Sequence, residues 1–133
     1  MNNYYTDEKN CLLLLAGLKG HGIKRIIASP GSANSPFVAS AQYDEYFDVY
    51  SSVDERSAAY LACGLSAESD EPVVISCTGA TASRNYASGL TEAFYRKLPI
   101  IAVTSTQPTS KVRHRVSQVI DRSAIANDIA RVS

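Results

Sequence analysis

Four short runs rich in β-branched residues alternate with helix-like stretches, and this alternation limits the folds open to the chain. The runs lie at residues 24–29, 47–51, 73–77 and 100–104. Each is too short for a buried helix, and the third carries no charged residue. Strands of this kind, separated by helices, are typical of a parallel sheet that is covered on both faces. The sequence therefore predicts an α/β fold, a three-layer sandwich with a mostly parallel sheet and helices on both faces.

The helices are predicted from capping residues and from helix breakers. The first is expected to have Thr6 as its N-cap and to end near Lys19, before two glycines. Four further helices are predicted at about residues 36–42, 54–69, 81–97 and 120–131, with a polar loop at 107–115. The second helix is expected to be capped by Asn34 or Ser35.

Composition narrows the class of protein. The 133 residues are 45% hydrophobic, which suffices for one core. Because 13 basic residues balance 13 acidic ones, no excess of positive charge indicates binding to nucleic acid or to a membrane surface. The polar N-terminus with Asp7 and Glu8 is unlike a secretory signal. The cysteines at 11, 63 and 77 are expected to be buried free thiols. These features predict a cytoplasmic protein with no nucleic-acid or membrane partner.

Three turns that follow predicted strands carry the polar residues of interest. They lie at residues 29–36, 53–55 and 77–81. In a parallel sheet the carboxyl ends of the strands share one edge, where ligands bind, so these turns should lie together. None is a phosphate-binding P-loop or a Gly-x-Gly-x-x-Gly turn.

Each turn taken alone also has a simpler explanation. The 29–36 turn is a capped helix start or an anion site, and Asp54 with Glu55 is a helix cap with a dipole-favoured carboxylate. The cations at 113–115 form a solvated loop or hold an acidic substrate group. Neither His21 nor His114 has a partner at metal-ligand spacing, so no metal site is predicted in this chain.

Six motifs in register resemble one family over nearly the whole chain. They are His21-Gly22-Ile23, Ser29-Pro30-Gly31-Ser32, Asp54-Glu55-Arg56-Ser57-Ala58-Ala59-Tyr60, Cys77-Thr78-Gly79-Ala80-Thr81 with Asn85, Glu92-Ala93-Phe94-Tyr95 before the strand at 100–104, and Gln118-Val119-Ile120-Asp121. The chain resembles the N-terminal pyrimidine-binding (PYR) domain of thiamine-diphosphate-dependent enzymes. That group includes acetolactate synthase, the 2-oxo-acid decarboxylases and the menaquinone-pathway carboligase, SEPHCHC synthase.

The resemblance implies a catalytic role for Glu55. The equivalent glutamate touches N1′ of the cofactor's aminopyrimidine and shares a proton there, which activates the cofactor for attack on a 2-oxo acid. The resemblance also implies cofactor-binding residues, which are Glu55, Thr78, Gly79, Ala80 and Asn85. It implies a substrate cleft lined by Ser29, Pro30, Gly31, Ser32, Asn34 and Gln118. The small residues after Glu55 would allow a tight pocket.

The resemblance also implies partners. In this family a second domain, marked by Gly-Asp-Gly and a later Asn-Asn, holds the diphosphate and Mg²⁺, and neither motif occurs here. The chain is therefore expected to be the N-terminal piece of a longer enzyme, as its abrupt end suggests, or a stand-alone PYR subunit. The active site is expected between subunits, in a homodimer or a larger assembly acting on a small 2-oxo acid.

Two departures from the family pattern bear on activity. The third turn reads Thr78-Gly79-Ala80 where Thr-Ser-Gly is common, so its glycine is displaced by one position. Ala33 stands where SEPHCHC synthase carries an arginine for acidic substrates, which argues against that particular activity. Two alternatives remain, a non-catalytic module of the same fold and a flavodoxin-like domain for another nucleotide.

Overall fold

The computed structural model describes residues 5–79, 81–105, 108–121 and 125–131. Four parallel strands form one sheet in the order β2-β1-β3-β4. The strands are β1 (Arg25–Ala28), β2 (Asp48–Ser51), β3 (Val73–Cys77) and β4 (Ile100–Thr104). The bounds of β3 and β4 agree with the sequence prediction. The strand β1 is one residue shorter than predicted at each end, and β2 begins one residue later than predicted.

Five α-helices connect and cover the strands. They are α1 (Lys9–Gly20), α2 (Ser35–Tyr43), α3 (Glu55–Ser69), α4 (Thr81–Arg84) and α5 (Ala87–Arg96), followed by a 3₁₀ turn at Thr109–Lys111. Every described β-to-β connection between neighbouring parallel strands passes through a helix, as parallel pairing requires.

Two hydrophobic cores lie on opposite faces of the sheet. Adjacent residues of a strand point to opposite faces, so Ile26 packs with α1 and α2, whereas Ile27 packs with α3 and the start of α5. Leu15 and Phe37 belong to the first core, and Ala58, Ala59 and Ala62 of α3 belong to the second. The predicted three-layer arrangement is confirmed.

The prediction for the first helix was wrong at its N-terminus. The helix begins at Lys9, and Glu8 occupies the N-cap position without a capping side-chain bond. The Thr6 hydroxyl instead accepts a hydrogen bond from the Glu8 backbone N–H at 3.1 Å. The Thr6 backbone N–H donates to Ser40 Oγ at 2.8 Å, which ties this segment to α2 rather than to the helix that follows.

The predicted helix over 81–97 is two helices. The chain turns at Asn85 and Tyr86, where the Tyr86 N–H donates to the Ser83 carbonyl at 3.3 Å in place of an α-helical bond. Tyr86 is fully buried at this turn. Packing of its ring into the core thus overrides the local preference for one continuous helix.

The last predicted helix, over 120–131, is also wrong for the residues described there. Residues 127–129 form a turn closed by a bond from the Ile129 N–H to the Ala126 carbonyl at 3.2 Å. Residues 122–124 of that prediction lie outside the described residues. Seven of the twelve residues at 120–131 are Asp, Asn, Ser or Ala, which leaves little apolar surface to hold a helix against the sheet.

Burial corrects one further expectation. The strand β2 is an edge strand in which Val49 is half-buried and its other residues are exposed, rather than a buried strand. The three cysteines are thiols outside disulfide bonds; Cys63 and Cys77 are buried as expected, whereas Cys11 is only half-buried. In the part of the chain that the structure describes, no helix has the length and apolar character needed to cross a bilayer.

Candidate functional site

The three polar turns meet at the carboxyl edge of the sheet. Ala28, at the end of β1, is in register with Ser51 on one side and Ser76 on the other. The ladder continues just past these ends, because the Ser29 N–H donates to the Ser76 carbonyl at 2.8 Å and the Ser52 N–H donates to the Ala28 carbonyl at 3.0 Å. The predicted meeting of the three turns is therefore observed.

The turns after β1 and β3 touch at Gly31. A Cβ atom at this position would overlap Thr78 Oγ1 and lie 2.8 Å from Asn34 Oδ1. Only glycine lets the backbone of the first turn approach the third turn this closely. Gly31 and Thr78 are both half-buried, so the contact closes the edge of the sheet between β1 and β3.

The Asn34 side chain connects the first turn to β3 through hydrogen bonds. It occupies the N-cap position of α2, but its side chain makes no capping bond. Its Nδ2 donates to the Ser29 carbonyl at 3.1 Å and to Ser76 Oγ at 3.3 Å. Asn34 and Ser29 are buried, whereas Pro30 and Ser32 are exposed. Of the side chains predicted to line a cleft, the structure thus buries two and exposes two in this turn.

The second turn separates the roles of its two carboxylates. Asp54 caps α3, since its Oδ2 accepts from both the Ser57 N–H and the Ser57 hydroxyl at 2.7 Å. These bonds to Ser57, the hydroxyl first, lower the pKa of the Asp54 carboxyl below its ordinary value. Glu55 is half-buried at the first position of α3, and its carboxylate has no hydrogen bond or ion pair with any described residue. The cap therefore leaves Glu55 available to an external donor.

The cap at Asp54 should make α3 sensitive to acid. Because the folded-state pKa of Asp54 is lowered, its stabilising effect is present above the ordinary carboxyl range and is lost as the pH falls through the lowered value. We expect Asp54→Ala to lower the midpoint of thermal unfolding at pH 7, and to lower it less at acidic pH. Asp54→Asn, which retains a good cap, should stay close to wild type. Equal losses for both variants would contradict a capping role.

The third turn is held by hydrogen bonds between the backbone of Gly79 and two side-chain hydroxyls. The buried Gly79 N–H donates to Ser105 Oγ at 3.2 Å, and the Ser83 hydroxyl donates to the Gly79 carbonyl at 2.8 Å. Asn85, predicted to bind cofactor, is exposed at the break between α4 and α5. Ala80, also predicted to bind cofactor, lies outside the described residues.

Gln118 joins the site from a distant part of the sequence. The Thr81 hydroxyl donates to Gln118 Oε1 at 3.3 Å, so the loop folds back on the start of α4. Arg113 pairs with Asp121 at 3.1 Å, and Arg84 donates to the Asp121 carbonyl at 3.3 Å. The structure thus brings Gln118 beside the third turn, and it engages one cation of the basic loop in an exposed ion pair.

Sequence reasoning missed Tyr86. Its side chain is 1% exposed, and its hydroxyl lies beside the Cys77 thiol and the Ser29 hydroxyl. The contact is a close approach rather than a formed bond, because the hydroxyl has no partner of good hydrogen-bond geometry. Burial, followed by the Cys77 thiol, raises the pKa of Tyr86 well above its ordinary value, and the charge of Glu55 adds to the increase. A tyrosine inside a predicted helix gave no signal of this position.

A large cavity lies away from these turns. It has a volume of about 990 Å³ and is bounded by α5, β4 and residues 125–131. Glu55, Thr78 and Gly31 do not line it. In the described part of the chain, the turns that carry the candidate site therefore form an open edge rather than the wall of this cavity.

An open parallel sheet with an unpaired carboxylate at its carboxyl edge defines the class, a ligand-binding α/β domain of the doubly wound type. The family described as "Thiamine pyrophosphate enzyme, N-terminal TPP binding domain" matches residues 12–125. The chain therefore belongs to this family of N-terminal thiamine pyrophosphate-binding domains.

Two curated relatives are each more than 30% identical to the chain over the aligned residues. It is 34% identical over 129 residues to the 2-succinyl-5-enolpyruvyl-6-hydroxy-3-cyclohexene-1-carboxylate synthase of Phocaeicola vulgatus, a match that covers 97% of this chain and 23% of the relative. It is 38% identical over 120 residues to the synthase of the same name from Porphyromonas gingivalis, covering 90% of this chain and 21% of the relative. The chain thus spans less than a quarter of the length of these relatives.

Solved structures agree on the fold. The thiamine diphosphate-dependent 4-hydroxybenzoylformate decarboxylase of Rhodococcus jostii RHA1 superposes with a TM-score of 0.72 at 21% identity, over 82% of this chain and 20% of that one. The benzoylformate decarboxylase of Polynucleobacter necessarius superposes with a TM-score of 0.70 at 19% identity, with the same coverage. At these identities the likeness establishes the three-layer fold alone.

Proposed function

We propose that this chain is the cofactor-activating domain of a thiamine-diphosphate-dependent 2-oxo-acid decarboxylase or carboligase, with Glu55 as its catalytic acid/base. The single observation that carries the proposal is that only one of the two carboxylates in the second turn is used as the helix cap. Asp54 takes the capping bonds, so the Glu55 carboxylate lies half-buried at the ligand edge without a partner among the described residues. A carboxylate in that state fits the N1′ position of an aminopyrimidine, which needs one proton-sharing partner.

The residues of this chain would bind and orient one half of the cofactor. Bound thiamine diphosphate supplies the electron sink for loss of carbon dioxide from a 2-oxo acid. Glu55 would hold or release the proton at N1′, and the half-buried Thr78 lies at the same edge of the sheet, after β3. Thr78, Gly79, Ala80 and Asn85 remain predictions as cofactor contacts, and the residues of the 29–34 turn and Gln118 remain predictions as substrate contacts.

The other half of the cofactor requires residues from elsewhere. No group of three or more acidic, histidine or cysteine side chains suited to a metal occurs in the described ranges. We therefore assign the diphosphate and Mg²⁺ to a second domain, in the same polypeptide or in a separate subunit. This arrangement is compatible with a chain that spans less than a quarter of its relatives.

The substrate is the point on which two arguments differ. Similarity to the cyclohexene-carboxylate synthases favours an acidic 2-oxo acid and carboligation. Ala33 at the site of the expected arginine, exposed at the edge of the sheet, favours a less acidic substrate. Comparing 2-oxoglutarate with pyruvate and benzoylformate as substrates of the full-length protein separates these possibilities.

The experiment that tests the proposal uses the natural full-length protein. We expect release of carbon dioxide from at least one 2-oxo acid that depends on both thiamine diphosphate and Mg²⁺. The isolated 133-residue chain should bind the cofactor weakly or not at all by calorimetry. Tight cofactor binding by the isolated chain, or a full-length protein without cofactor-dependent turnover, would support the non-catalytic or flavodoxin-like alternatives.

We further propose that the outer face of α3 packs against a second subunit. Three large apolar side chains are exposed there and just before the helix, namely Val53 at 79%, Leu61 at 56% and Tyr60 at 45%. They flank the turn that holds Glu55, so a partner on this face would exclude water from the half-buried carboxylate.

The cytoplasmic location expected from the N-terminal sequence stays a prediction.

A charge on this face should break the assembly. We expect Leu61→Glu to convert the full-length dimer to monomer in analytical ultracentrifugation and to abolish turnover, because it places an unpaired charge in an apolar interface. Leu13→Glu on α1 is the matched control, since Leu13 is 62% exposed on the other side of the sheet. Loss of the dimer in both variants, or in neither, would exclude α3 as the specific interface.

A further inference from the structure

The outer edge of β4 lacks the features that protect an edge strand. The strands β2 and β4 form the two edges of the sheet. Three of the four residues of β2 are exposed, and this strand carries Asp48 and Ser51, which discourage pairing with another strand. The strand β4 has the sequence Ile-Ile-Ala-Val-Thr, without a charged residue. A continuous apolar run of this kind is typical of a parallel strand that has neighbours on both sides.

Ala102, at the centre of β4, directs its backbone groups away from the sheet. The Val73 N–H donates to the Pro99 carbonyl at 3.1 Å, and the Ser105 N–H donates to the Cys77 carbonyl at 3.4 Å. Because the backbone groups of successive residues alternate between the two sides of a strand, the odd-numbered residues from 99 to 105 face β3 and Ala102 faces outward. Ala102 is exposed, and none of the four described strands pairs with it on that side.

Both faces of β4 are also incompletely covered. Ile101 and Val103 pack against the core on the side of α1 and α2, and Ile100 packs against the core on the side of α3. All three are only half-buried. Every residue of β3, which has a neighbouring strand on each side, is buried. The two strands have similarly apolar sequences, so the difference in burial comes from the open side of β4.

The cavity of about 990 Å³ adjoins this open side. It is bounded by α5, β4 and residues 125–131, and Leu90, Phe94 and Ile100 contribute apolar side chains to its wall. The Tyr95 hydroxyl donates to Asp128 Oδ2 at 3.2 Å, which holds the 125–131 stretch beside α5. Protein interiors are close-packed, so an apolar space of this size beside an unpaired strand has room for a further element of secondary structure.

The path of the chain after β4 is consistent with such an element. The crossover from β1 to β2 places α2 on one face of the sheet, and the crossover from β3 to β4 runs in the opposite direction with α5 on the other face. The two crossovers therefore have the same hand, and nearly all parallel crossovers are right-handed. A connection of this hand that leaves β4 outward passes over the α5 face, where residues 125–131 lie.

We propose that β4 is an interior strand of the natural full-length protein, and that a further strand, from the polypeptide after residue 133, pairs in parallel with its outer edge. Relatives more than four times as long supply the dozen or more residues that a parallel crossover needs. A second copy of the chain fits this edge less well. Two β4 strands related by a twofold axis would run antiparallel, in a sheet that is parallel throughout. The inference does not depend on the role of Glu55.

Hydrogen exchange of the full-length protein, resolved to single residues by mass spectrometry, tests the pairing. We expect the Ala102 N–H to exchange at least about 10²-fold more slowly than in an unstructured peptide, because it is bonded within a sheet. The Ser51 N–H is the matched control. The N–H groups of Asp48 and Ser52 face β1, so that of Ser51 faces outward on the β2 edge, and it should exchange rapidly. Exchange of Ala102 at the rate of an unstructured peptide would overturn the inference.

A pair of proline variants gives a second measurement. Ala102→Pro and Ser51→Pro each remove one outward-facing N–H from an outer strand of the described sheet. We expect Ala102→Pro to lower the midpoint of thermal unfolding of the full-length protein clearly more than Ser51→Pro, or to prevent folding. Equal, small shifts for the two variants would show that β4 is a true edge and contradict the inference.

Photocrosslinking identifies the element that pairs with β4. A diazirine-bearing analogue of leucine replaces Ile100, whose side chain lines the cavity, in the full-length protein. We expect a product of monomer mass on a denaturing gel, with the new bond to a peptide after residue 133. A product of twice that mass would assign the edge to a second copy, and one with another polypeptide would assign it to a separate subunit. Either product, or insertion confined to residues 1–133, would overturn the inference.

Discussion

Glu55→Gln should reduce cofactor-dependent turnover of the full-length protein by about 10²–10⁴-fold, the range typical for loss of a general acid/base. Glutamine keeps the shape of glutamate but cannot exchange the proton that N1′ of the aminopyrimidine requires. Asp54 cannot substitute, because its Oδ2 is committed to two bonds with Ser57. The measurement is kcat for carbon dioxide release at saturating thiamine diphosphate and Mg²⁺.

A matched substitution controls for general effects on α3. Glu68 is exposed near the other end of the same helix, so Glu68→Gln removes the same charge from the same element. We expect this variant to retain wild-type turnover. Near wild-type turnover for Glu55→Gln would contradict the acid/base role, and Glu55 would then be a carboxylate at a helix start without a catalytic function.

Gly89→Ala should destabilise the protein by forcing apart two helices that pack backbone to side chain at this glycine. The added Cβ would overlap the Cβ of Ala59 and lie 3.1 Å from the Ala59 carbonyl carbon, so α3 and α5 must move apart. Overpacking of this kind destabilises by about 1–3 kcal/mol. Denaturant unfolding of the full-length protein measures the change. Turnover should fall as well, because the same contact places the first turn of α3.

Two further variants test the steric explanation. Gly64 lies on the exposed face of α3, where no described heavy atom is within 4 Å of an added Cβ. Gly64→Ala should therefore stabilise the helix by up to about 1 kcal/mol. Ala59→Gly combined with Gly89→Ala removes the clashing Cβ and should recover much of the lost stability. No recovery in the double variant would show that the loss comes from a cause other than this contact.

The sequence predicted most of the scaffold because its signals were local. The bounds of β3 and β4 follow from short runs of apolar residues between turns, and α3 follows from Asp54 as cap and a run of small residues. The parallel order places the strand ends at one edge, which made the meeting of the three turns predictable. The motifs around Glu55 then identified the family that the comparisons establish.

Three of the misses share one physical cause, since each depended on contacts between residues distant in sequence. Thr6 left its predicted capping role because its backbone bonds Ser40 on α2. The helix over 81–97 broke because the ring of Tyr86 packs between strands and α3. Asn34 lay at the predicted cap position, but its amide turned inward to Ser29 and Ser76. Local propensity is a weak constraint beside burial of this kind.

The sequence by itself therefore determined the three-layer α/β class, the family and Glu55 as the residue of interest. Only the tertiary structure showed that Ser57 gives both of its hydrogen bonds to Asp54, which leaves the Glu55 carboxylate without a partner among the described residues. Only the tertiary structure placed the Tyr86 hydroxyl beneath the strand ends, since its neighbours, Ser29 and Cys77, come from different strands. Such a cluster is set by packing between elements, for which a single sequence carries no periodic signal.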